Sequence, residues 1–172
     1  MPQKTLSMWT GSLFAALALF AASCGGGSGS TAANGSEPSG GSKPPKPSGY
    51  AAQISIGTPG AGRIIVSEKG MTLYAFSKDA PGASSACSGK CARTWRPLLT
   101  VAPPKPYGSF GLPAKLLGTI DRAGKAKQVT YAGHPLYVFS GDKSSATNGI
   151  GKRAFGGTWS AVHPSGKLLE GG

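Results

Sequence analysis

The sequence predicts an all-β fold: a single small domain of two hairpin-based repeats in a pseudo-two-fold relation, after a signal peptide and a disordered linker. Three observations predict it. The stretch Leu73-Tyr74-Ala75-Phe76-Ser77-Lys78-Asp79 recurs as Leu136-Tyr137-Val138-Phe139-Ser140-Gly141-Asp142, 63 residues later. In each copy an extended chain puts small and aliphatic side chains on one face and aromatic ones on the other. Both faces are apolar near the middle, the pattern of a central strand covered on two sides. A short β-branched run precedes each copy and enters it through glycine: Ile64, Ile65 and Val66 before Gly70, and Val129, Thr130 and Tyr131 before Gly133. Both read as hairpins.

From the N-terminus, Lys4 leads into an apolar run over 13–22, too short to span a bilayer and typical of a secretory leader. Ala21, Ala22 and Ser23 precede Cys24 in a context that resembles a bacterial lipidation site, with Ala21 where Leu, Val or Ile is usual; the alternative is ordinary secretion with an incidental Cys24. The expected boundaries are a signal peptide over 1–23, then a lipidated Cys24 with a flexible tether over 24–49. Gly, Ser and Pro dominate that tether and supply no core. It has a typical reach of roughly 25–30 Å. The β domain is expected over 50–172, with repeat one near 62–101 and repeat two near 118–166.

Each Asp is followed by a loop and then a Trp-bearing strand, at Trp95 and at Trp159. Asp79 and Asp142 read as turn-closing residues. In the first copy the loop contains Cys87-Ser88-Gly89-Lys90-Cys91. With Cys24 acylated, Cys87 and Cys91 remain as an even pair outside the cytoplasm and read as a structural disulfide beside Trp95. The alternative is a redox or metal-binding pair; the gap is wider than a thioredoxin-type site, and no His follows as haem attachment requires. The second loop, 143–157, has no cysteine and reads as open and Gly-rich. The segment 101–113 is a Pro/Gly connector, with one helical turn expected over 112–117.

The chain carries 18 Lys and Arg against 6 Asp and Glu. Loss of the leader removes one of those cations. Such a balance reads first as a solvated cationic surface and alternatively as attraction to anionic lipid headgroups or wall polymers. Nucleic acid is not expected, since the protein is exported and carries no binding motif. His134 and His163 each precede a proline without a ligand set around them, so no metal is expected. No Ser/His/Asp set, phosphate loop or nucleotide motif is present, so no catalytic residue and no cofactor is expected. A paired-carboxylate hydrolase would need Asp79 and Asp142 to converge. Tyr74, Phe76, Tyr137 and Phe139, with Trp95 and Trp159, read first as core and alternatively as an aromatic face for a small ligand.

Taken together, the two Tyr-x-Phe-x-x-Asp copies, the segment from Cys87 to Leu98, and Gly133-His134-Pro135-Leu136-Tyr137 resemble a bacterial lipoprotein repeat family described as a secreted repeat of unknown function. The resemblance implies an extracytoplasmic, membrane-anchored protein; the export signal, the tether and the net charge add an anionic envelope polymer or protein as the expected partner. It implies no settled activity; relatives are associated with extracytoplasmic redox systems or alkane use.

Overall fold

The computed structural model describes residues 49–108, 111–123 and 126–171. The leader, Cys24 and the tether up to residue 48 lie outside the described residues, as does Lys125. Among the described residues the regular elements are nearly all strands. In repeat one it runs β1 (Gln53–Gly57), β2 (Ile64–Ser67), β3 (Tyr74–Phe76), a short helix α1 (Lys90–Thr94), β4 (Trp95–Pro97) and β5 (Leu99–Thr100). A connector carries β6 (Lys105–Pro106) and a 3-10 turn at Ala114–Leu116. In repeat two follow β7 (Leu117–Asp121), β8 (Lys127–Tyr131), β9 (His134–Pro135), β10 (Tyr137–Phe139), β11 (Arg153–Ala154), β12 (Gly157–Val162) and β13 (Leu168–Leu169).

The central sheet has the order β11-β12-β3-β10-β4, with β13 added to β12. Strands β3 and β10, the two motif copies, are antiparallel neighbours with Tyr74 opposite Tyr137. Each is flanked on its other side by the Trp strand of the other repeat: β12 pairs with β3, and β4 pairs with β10. The pseudo-dyad therefore passes between Tyr74 and Tyr137. The repeats are intertwined rather than stacked end to end.

Two smaller sheets hold the hairpin strands: β2-β1-β6, and β5-β8-β7 with β9 on β8. The expected hairpins are present, but each changes sheet at a leucine. Ser67 accepts the Gly70 N–H across the first turn, and Val66 bridges Thr72. Beyond Leu73 the chain leaves β2 for the central sheet. In the second repeat Tyr131 pairs with His134, and the chain crosses at Leu136. The crossings are matched: Leu73 C=O accepts from Val162 N–H at 3.3 Å, and Leu136 C=O from Leu98 N–H at 2.9 Å.

Alternation in β3 then divides the interior. Leu73 and Ala75 enter an aliphatic core with Ile54, Ile65, Val129, Tyr131, Leu136 and Val162. Tyr74 and Phe76 enter an aromatic core with Trp95, Tyr137, Trp159 and both loop cysteines. The period of two thus serves two cores, as the apolar pattern on both faces predicts.

Three differences from the sequence reading have physical reasons. Strand β1 lies upstream of residue 62 and is the first partner of β2; its short Ile54/Ile56 alternation is interrupted by Gly57 and gives little signal. The connector contributes β6, parallel to β1, although it is Pro-rich. Pro106 is tolerated there because β6 is an edge strand. The loop 143–157 is not open: Ser145 N–H donates to Gly70 C=O, Thr72 Oγ1 donates to Ala146 C=O, and β11 pairs with β12.

Candidate functional site

The motif residues meet at the pseudo-dyad. Trp95 and Trp159 lie face to face, with centroids 3.9 Å apart and planes parallel. Phe76 stacks on the outer face of this pair at Trp159, 4.3 Å away, and Phe139 stacks on Trp95 at 4.5 Å. The result is a four-ring column in which each repeat's Phe packs on the other repeat's Trp. Tyr74 meets Trp95 edge-on at 5.3 Å, and Tyr137 meets Trp159 edge-on at 5.1 Å. Such geometries suit the ring quadrupoles. Both indole N–H groups are buried without an acceptor among the described residues. That loss costs about 1–3 kcal/mol each, and burial of the six rings offsets it.

The tyrosine hydroxyls complete the crossing. Tyr74 Oη donates to Asp142 Oδ2 at 2.5 Å, and Tyr137 Oη donates to Asp79 Oδ2 at 2.5 Å. Each carboxylate's other oxygen closes its own loop: Asp79 Oδ1 accepts the Ala86 N–H, and Asp142 Oδ1 accepts the Asn148 N–H. The aspartates therefore close their own turns and also bind the opposite repeat. Burial, then the hydrogen bond to Asp142, pushes the Tyr74 phenol well above its ordinary range. The same causes, with Asp79 as acceptor, raise Tyr137.

Around this centre the loops differ. Ser85 Oγ lies 2.6 Å from Tyr137 Oη, whereas Tyr74 Oη accepts the Gly149 N–H at 3.2 Å. Cys87 and Cys91 form a disulfide, and both are buried against the aromatic core. Arg122 binds that loop to repeat two, donating from Nη2 to Cys87 C=O and from Nη1 to Gln128 Oε1. Gln128 is buried and donates onward to Leu136 C=O. Ser85, Arg122, Gln128 and Gly149 were not read from the sequence as site residues. Arg122 and Gln128 have no counterpart signal in repeat one, and Gly149 looked like ordinary loop glycine.

Trp95 and Trp159 are wholly buried, so neither ring offers a face to a ligand. Asp79 and Asp142 each have both oxygens engaged, which leaves no carboxylate dyad poised on a substrate. His163 Nδ1 is taken up by Ser165 within its own turn. His134 sits near Asp79; burial lowers its pKa and the Asp79 charge partly opposes this. Among the described residues no three His, Cys, Asp or Glu side chains group as a metal site. A surface cavity of ≈ 340 Å³ between the connector and β7 includes Lys127, which is already paired with Asp121. What this arrangement does chemically is hold two halves together.

Residues 55–99 and 118–163 each match one family, described as a secreted repeat of unknown function. The chain belongs to that family. The two matched ranges are the two intertwined halves, and the secreted character places the domain outside the cytoplasm. No curated protein and no solved structure matches the chain. For this secreted repeat the Tyr-x-Phe-x-x-Asp signature is thus a device of assembly: its Tyr and Phe reach into the other copy, and its Asp receives the other copy's Tyr.

Proposed function

We propose that this protein is a non-enzymatic module of the cell envelope. It is held at the membrane through an acylated Cys24 and the 24–49 tether, and it binds anionic envelope material through its cationic surface. One observation carries the reading: the disposition of charge. Of the fourteen described Lys and Arg residues, thirteen are exposed; of the five described carboxylates, three are. Asp79 and Asp142 are turned inward on the tyrosines, and Asp121 is paired with Lys127. The fold turns two of the five described acids inward and leaves three outside against thirteen exposed cations, whose net field attracts polyanions.

Adsorption of the purified chain to an immobilised polyanion such as polyglutamate, at low and high salt, tests the binding. Capture at low salt that is lost at high salt is expected, because exposed charges are screened. No capture, or capture indifferent to salt, overturns the reading. Anchoring is tested separately: the chain should incorporate labelled fatty acid in the bacterial host, and Cys24→Ser should not.

A further inference from the structure

Strands β11 and β12 are joined by a two-residue turn, Phe155-Gly156, across the Ala154/Gly157 pair. Both turn residues have positive φ, +55° and +79°. That backbone favours Asn or Gly at its first position. A bulky aromatic in the left-handed region is strained and points to a role outside folding. The comparison within this chain is the β8–β9 turn, where Ala132-Gly133 has the same signs of φ. There Ala132 packs on the aliphatic core. Phe155 joins neither core and stands 46% exposed, while its neighbour Ala154 packs inward.

The cations around it make no ion pair among the described residues. Lys152 and Arg153 precede the turn and are exposed, and neither makes an ion pair among the described residues. Lys78 lies beside the start of β12, its stem close to Gly157. Lys152 Nζ also sits 5.5 Å over the Phe139 ring at the end of the aromatic column. Glu170 comes near through Gly171, which packs on Gly151, and it forms no ion pair with Lys152 or Arg153.

We infer that this hairpin tip, Phe155 with Lys78, Lys152 and Arg153, is the face through which the domain meets an anionic lipid surface. The inference rests on the envelope reading above and names its partner. Phenylalanine has no polar atom, so it gains nothing from a hydrated polyanion but does gain from the headgroup–acyl boundary, with Lys and Arg held at headgroup level. On the envelope reading, acylation at Cys24 would keep the domain close to the membrane. A weak second contact then becomes effective through high local concentration.

The test uses the chain from residue 24 onward carrying Cys24→Ser, which lacks both the apolar leader and the acylation site, with phosphatidylcholine vesicles made with and without phosphatidylglycerol. Flotation with the anionic vesicles alone is expected. Phe155→Gly should reduce partitioning roughly tenfold, yet raise the denaturation midpoint, because glycine relieves the strained φ. A merely structural residue would lower stability on removal. Lys152→Gln with Arg153→Gln should reduce partitioning roughly thirtyfold, and Tyr107→Ala, which removes an exposed aromatic in the connector just after β6, should change nothing. In Phe155→Trp the new indole should be quenched by brominated acyl chains. Undiminished binding of Phe155→Gly, or an unquenched indole, overturns the inference. If polyglutamate captures the chain and vesicles do not, this inference fails and the envelope reading stands; if neither binds, both fail.

Discussion

Tyr74 and Tyr137 face each other across the two central antiparallel strands, and each hydroxyl bonds the aspartate that closes the other's motif. The relation explains why the motif contains both residues. A strand closed by its own Asp would need no tyrosine five residues before it. A pair of strands that must find each other does, because the crossed bonds form only when both repeats are in register.

Removing either hydroxyl should cost stability. Tyr74→Phe or Tyr137→Phe deletes a hydrogen bond to a buried carboxylate, worth about 1.5–3 kcal/mol. Urea denaturation of each variant should show a midpoint shift of that size with the slope unchanged. A shift near zero would mean that the buried carboxylates do not need the phenols.

The same phenols set an alkaline limit. Both have folded-state pKa values raised above the ordinary value near 10, by burial first and then by their aspartate partners. Between the unfolded and folded values the unfolded chain binds fewer protons, so stability falls as pH rises. It should be flat with respect to these groups below about pH 10 and decline above it. The Tyr74→Phe/Tyr137→Phe double variant should decline less steeply from its lower starting point. An equal slope in both proteins would contradict the assignment.

Gly149 should resist enlargement. A Cβ there would stand 2.7 Å from the Tyr74 ring and 2.9 Å from Trp95 Cη2. Gly149→Ala should therefore cost about 1–3 kcal/mol through overpacking. Gly60→Ala, where a Cβ meets nothing within 4 Å, serves as the control and should be close to neutral. Chemical denaturation of both distinguishes close packing from a general need for loop glycine.

The disulfide should be a modest brace. The ring from Cys87 to Cys91 is small, and in the loop-entropy model it contributes about 2 kcal/mol. Both cysteines are buried in the aromatic core that also holds Trp95. Thiol titration of the native protein should therefore find no free Cys87 or Cys91, and mild reductant should open the bond only slowly. Ready opening in the native state would argue for a redox role instead.

Much of this fold was legible in the sequence, and the reason is local. The alternation in Tyr74-Ala75-Phe76 and Tyr137-Val138-Phe139 is a strand signal whatever the strands pair with, and its repetition announces internal symmetry. Who pairs with whom was not legible. Nothing in the sequence spacing tells whether Tyr74 bonds Asp79 in its own copy or Asp142 in the other. The choice is made by the crossing of β3 and β10 in one sheet, a property of the assembled chain. The same holds for Arg122 and Gln128, whose value depends on a loop far away in sequence. Phe155 stands between Ala154 and the Gly156-Gly157 pair with no periodic pattern around it, and only its backbone angle and exposure set it apart.

Double-mutant cycles in urea denaturation test the crossed motif most directly. Tyr74→Phe with Asp142→Asn, and Tyr137→Phe with Asp79→Asn, should each show coupling of at least about 1 kcal/mol. The pairings within one copy, Tyr74→Phe with Asp79→Asn and Tyr137→Phe with Asp142→Asn, should be additive within about 0.5 kcal/mol. Coupling within the copies and additivity between them would contradict the intertwined arrangement.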